Sequence, residues 1–77
     1  MIAIVKMTLV RPTRFGRTII KKKINAHKAV LKDEVNNFIF ERQHRENFIR
    51  VKTFDVSIVD YKKRVVDFWS YSPTYTN

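Results

Sequence analysis

Apolar residues in this chain follow two periods, and the switches between them mark out the elements. In residues 2–10 the odd positions Ala3, Val5, Met7 and Leu9 are all apolar, while the even ones include Lys6 and Thr8. β-Branched residues are frequent there, so the stretch predicts a strand with its odd face inward. Pro12 and Gly16 interrupt the pattern over residues 11–16, as loop residues do. Alternation resumes over 17–24, with Ile20 and Ile24 on one face and Arg17, Ile19, Lys21 and Lys23 on the other. These two strands are expected to form an antiparallel hairpin.

The period then lengthens. Asn25 has the chemistry of an N-cap, and the residues after it lack Gly and Pro as far as Asn47, which suits a C-cap. At 100° per residue Leu31, Val35, Phe38 and Ile39 share one stripe, which predicts an amphipathic helix ending near Glu46. Arg42 falls on that stripe, where its aliphatic stem can cover the edge of the core while its head reaches water.

Residues 48–60 return to period two with a slip of phase. Ile49 and Val51 are odd, whereas Phe54, Val56 and Ile58 are even, so a β-bulge near Thr53 is required. Residues 60–63 form a polar connection of hairpin length, and residues 64–71, with Phe68 and Trp69, predict a fourth strand. The order β-β-α-β-β implies an α+β fold, a four-stranded and mainly antiparallel sheet with one long helix on one face. Strand order is not readable from these periods.

Seventy-seven residues with 44% hydrophobic content make one small domain with a packed core rather than a disordered polycation. Residues 72–77, beginning before Pro73, are expected to fray. A chain this short carries a net stability of only about 3–5 kcal/mol, and a homodimer sharing core or sheet edge is a further option for it. Without Cys it cannot be a disulfide-stapled scaffold. Residues 2–10 are apolar but too short to span a bilayer, and they lack the flanks of a signal peptide. A cytoplasmic protein with no membrane association is expected.

Charge changes the picture most. The formal net charge is +9, and it is concentrated. Residues 1–23 hold seven basic and no acidic residues, residues 24–47 hold four of each, and residues 48–77 hold five basic and three acidic. An even spread would bear mainly on solubility, whereas a concentrated field implies a surface that meets something negative. Arg11, Arg14 and Arg17 recur every third residue around Phe15, and Lys21, Lys22 and Lys23 follow. Guanidinium forks suit phosphate oxygens, and an aromatic among them can stack on an unpaired base. These seven residues are the candidate nucleic-acid-binding set. If the helix covers one sheet face, Arg50 and Lys52 are expected on the other, joined or not by Trp69 and Tyr71 according to the register of the last strand. No motif separates DNA from RNA here.

Enzyme chemistry finds no purchase in the sequence. Gly16 is the only glycine, so no phosphate-cradling loop exists. His27 and His44 lie at opposite ends of the expected helix, and His44 with Glu41 gives two ligands where a metal needs more. No catalytic residue, metal or cofactor is expected. The competing role is protein binding, with the same basic surface docked on an acidic site of a larger protein. Phe40 lies on the polar side of the helix with His44 nearby, and this pair is the candidate protein contact. In general style the chain resembles the short, motif-free accessory proteins of large tailed phages. That resemblance implies an inhibitor of a host enzyme or defence factor.

Overall fold

A computed structural model of the chain describes residues 1–43 and 50–73. It contains β1 (Ile2–Leu9), β2 (Ile19–Asn25), α1 (Leu31–Gln43), β3 (Val51–Val59) and β4 (Val65–Tyr71). All neighbouring strands are antiparallel, in the order β2-β1-β3-β4. The α+β architecture is the one the periodicities require. β1 and β3 form the middle of the sheet, and burial follows their alternation. Ala3, Val5, Met7 and Leu9 are buried with Val51, Phe54, Val56 and Ile58. The slip of phase in β3 is resolved by a register shift, Thr8 pairing with Thr53 and Leu9 with Val51, which leaves Lys52 as the bulged residue.

From α1, Leu31, Val35 and Ile39 complete the core, with Phe38 packed at its margin. The helix lies over β1 and β2, and its first turn carries Asp33 and Glu34, which favour the positive end of the helix dipole. Arg42 is half-buried, in keeping with its place on the stripe.

The start of the helix departs from expectation. Asn25 does not cap it; Asn25 is the last residue of β2 and pairs with Ile2. Cross-strand pairing outweighs the local capping preference, and the following Ala26 N–H still reaches the Met1 carbonyl at 3.3 Å. A separate turn then leads into α1. The His27 carbonyl accepts from Val30 N–H at 3.0 Å, and His27 Nδ1 accepts from Ala29 N–H at 3.2 Å. The expected helix end near Glu46 and the Asn47 cap lie outside the described residues, as does part of the 72–77 tail.

The two hairpin loops share one construction. In the first, Thr13 N–H donates to the Arg17 carbonyl and Gly16 N–H to the Thr13 carbonyl, both at 2.8 Å. Thr13 Oγ1 accepts from Phe15 N–H at 3.2 Å and Arg17 N–H at 3.3 Å. In the second, Asp60 N–H donates to the Arg64 carbonyl and Lys63 N–H to the Asp60 carbonyl, both at 3.0 Å. Asp60 Oδ1 accepts from Lys62 N–H and Arg64 N–H, both at 2.9 Å. Each loop has a polar side chain at its first position holding two later amides, and a left-handed residue at its fourth. That residue is Gly16 in one (φ 78°) and Lys63 in the other (φ 61°).

Candidate nucleic-acid interface

Register decides which side chains share a surface. With α1 on one side, the other face of the sheet is open, and its side chains form rungs across the strands. Ile19, Thr8 and Thr53 make the rung nearest the first loop. Next come Lys21, Lys6, Asp55 and Ser70, and then Lys23, Ile4, Ser57 and Phe68. Ile2 and Val59 follow at the far end.

Lys6 and Lys21 therefore stand directly opposite one another on the open face. Like charges in that position repel unless an anion or an acidic side chain intervenes. Asp55 flanks Lys6 on the other side and offsets part of that repulsion, while its Oδ1 accepts from Ser70 Oγ at 2.6 Å. A shallow depression of about 480 Å3 lies here, lined by Ile4, Lys6, Lys21, Asp55, Ser57 and Phe68. Phe68 is 59% exposed in it.

The first loop continues this surface. It projects beyond the Leu9 end of β1, and Arg11, Arg14 and Arg17 are all exposed. Phe15 does not fold back onto the core. It is 76% exposed, with the Arg14 guanidinium 5.0 Å from its ring centroid. Such a cation on an aromatic face is a modest attraction at an exposed site, about 0.5–1 kcal/mol. Its consequence is geometric, because it leaves the other ring face open at the loop tip. Gly16 supplies the left-handed turn, and a Cβ placed on it would meet no protein atom within 4 Å.

The seven candidate residues are not all on one side. Lys21 and Lys23 lie on the open face, but Lys22 pairs with Val5 on the helix side. There Lys22 borders a groove that also involves Glu34, Asn37 and Glu41 of α1, and Lys23 at the sheet edge reaches the same groove. Trp69 and Tyr71 also belong to the helix side, paired with Val56 and Phe54, so they do not join the open face. The rings of Tyr71 and Phe54 lie 6.3 Å apart. Arg50 and Lys52 are exposed, Lys52 at the bulge and Arg50 just before β3, where its carbonyl accepts Val10 N–H at 2.9 Å.

Three features escaped the sequence. Lys6 was visible as an even-position cation in β1, and only pairing brings it against Lys21. Phe68 had no fixed phase, because β4 is apolar at too many positions. The second loop, Tyr61 to Arg64, is a basic and aromatic tip whose likeness to the first needs the hydrogen bonds to be seen.

Phe40 is 61% exposed on the outer side of α1. His44 lies outside the described residues. His27 is committed to its turn, and among the described residues no group of three or more His, Asp or Glu is placed to hold a metal ion. No helix among them is long and apolar enough to cross a membrane. No protein-family model matches this chain, and neither a curated protein nor a solved structure does.

Proposed function

We propose that this chain is a non-catalytic nucleic-acid-binding protein that uses its first hairpin and the adjoining open sheet face. The observation that carries this reading is the Lys6–Lys21 pair across β1 and β2. Two lysines paired directly across neighbouring strands, with Lys23 one rung away and Asp55 the single acid on those rungs, leave a net positive surface on which a phosphate can be laid. The strand that carries Lys21 leads straight back to Arg17, Phe15 and Arg14. Phosphates are held by the cations, and an unpaired base stacks on the free face of Phe15.

The test is a titration of labelled single- and double-stranded oligonucleotides at low salt, with Lys21→Ala and Arg14→Ala beside the parent. Weakened binding by both variants, independent of sequence, is the expected result. No binding by the parent overturns the reading.

A second reading, an acidic protein partner or inhibited host factor, draws on the exposed Phe40. It requires Phe40→Ala to weaken a protein complex recovered after nuclease treatment. Nucleic-acid binding at the open face leaves that variant unaffected.

A further inference from the structure

The second hairpin tip matches the first in more than hydrogen bonding. Tyr61 is 89% exposed, and Lys62 Nζ lies 5.7 Å from its ring centroid, as Arg14 lies over Phe15. Lys63 and Arg64 complete a run of three cations, of which Arg64 is paired with Asp60 Oδ2 at 3.3 Å. Arg64 occupies the position that Arg17 holds in the first loop. The two tips stand at opposite ends of the sheet, because β1 pairs Leu9 with Val51 and Ile2 with Val59. Between them runs the open face, where Lys21, Lys6 and Lys23 are followed by the exposed ring of Phe68.

Resting on the nucleic-acid reading of the first tip, we propose that the Tyr61–Lys62–Lys63–Arg64 tip is a second contact for the same ligand. A single strand then runs the length of the sheet, from Phe15 across Phe68 to Tyr61. A single strand fits better than a duplex. The aromatics at both tips and in the middle offer ring faces, which unpaired bases use and paired bases cannot reach without unstacking. The Arg14–Phe15 and Lys62–Tyr61 pairs each place a cation beside a stacking surface, the combination one nucleotide presents in reverse. The longest extent of the fold is 38 Å. At a helical rise of about 3.4 Å per nucleotide that is a footprint of about eleven nucleotides, fewer if the strand is drawn out.

The experiment compares the full chain with a Tyr61→Ser, Lys62→Ser variant on oligothymidylates of five, ten, fifteen and twenty nucleotides. Both residues are exposed, and the Asp60 bonds that build the loop use backbone amides and the Arg64 side chain, none of which the variant removes, so it is expected to melt with the parent. For the parent, affinity rises steeply from five to about ten or fifteen nucleotides and then only with the number of ways to bind. In the variant the fifteen-nucleotide complex weakens about tenfold or more. The five-nucleotide complex, which fits the first tip alone, changes no more than about twofold. Equal affinity of parent and variant for every length overturns the second contact while leaving the first tip intact. Parent affinity that stops rising at five nucleotides overturns it as well. If the parent binds no oligonucleotide, both this inference and the function on which it rests are overturned.

Discussion

Lys32 Nζ donates to Asp67 Oδ2 at 3.1 Å, tying the first turn of α1 to β4 across the edge of the core. The same ammonium lies 5.7 Å from the ring centroid of Trp69, which sits two residues along β4. Since α1 packs on β1 and β2, this bridge links the helix to the edge strand β4 on the same face of the sheet. The Lys32 hydrogen bond holds the Asp67 carboxyl below the usual aspartate range, helped by Phe68 N–H, which donates to Oδ1 at 2.9 Å.

A pH dependence follows from that lowered value. The folded chain holds the Asp67 proton less tightly than the unfolded one, so the bridge contributes fully above the ordinary aspartate value. Its contribution is lost as pH falls through the lower folded value. Both side chains are substantially exposed, so the effect is small and screened by salt. Asp67→Asn should flatten the acid limb of a melting-temperature profile below about pH 5. Lys32→Ala should shift the emission of Trp69, the single tryptophan. An acid limb identical in Asp67→Asn and the parent would remove the bridge from the account.

Leu31 is a buried anchor of the helix on the sheet. Truncating it to Ala should cost about 2–5 kcal/mol, a loss comparable with the whole stability of a domain this size. Thermal or urea unfolding measures it. A cooperative melt near the parent midpoint would contradict the packing described.

Gly16 and Lys63 occupy equivalent left-handed positions, one with the residue suited to it and one without. A Cβ in that conformation costs about 1–2 kcal/mol. Lys63→Gly should therefore stabilise the fold by up to about 1 kcal/mol, after the added freedom of the unfolded chain is set against the relief. Gly16→Ala should destabilise it by up to about 1 kcal/mol, the backbone strain less the freedom that Ala removes from the unfolded chain. Chemical denaturation of the two variants reads both signs.

Binding at the open face should be steeply salt-dependent. If Lys6, Arg14, Arg17, Lys21 and Lys23 each neutralise one phosphate of a single strand, log K against log salt has a slope of about −3.5. Replacing Arg14 and Arg17 by Ala flattens it by about 1.4. Titrations at four or five salt concentrations give the slope directly, and a slope near zero would rule out phosphate contacts.

Phe15 should behave in the opposite way. Stacking carries no net charge, so Phe15→Ala should weaken binding by about 1–3 kcal/mol and leave the salt slope where it was. A change in slope without a change at one molar salt would assign Phe15 a role in placing Arg14 rather than in stacking.

The sequence alone determined the elements and the inward faces wherever one face of a strand or helix is buried. Ala3, Val5, Met7 and Leu9 declare a period of two, and Leu31, Val35 and Ile39 a period of 3.6, because burial on one side imposes a pattern at each residue. The bulge in β3 was legible for the same reason, since Val51 and Phe54 cannot both face the core without an extra residue between them. Tertiary structure alone decided the rest. Asn25 is a good cap in isolation, but its partner Ile2 lies 23 positions away, and pairing took it into β2. The segment 65–71 has no clean alternation, and a register shift between Ile58 and Val59 resets its phase, so only hydrogen bonding to β3 assigns Phe68 to the open face and Trp69 to the helix side. Lys6 meets Lys21, and Thr13 plays the part of Asp60, through contacts that no local period encodes. A strand's own sequence fixes which of its residues share a face; which strands lie beside it, and in what register, is set by pairing energies summed over the whole sheet.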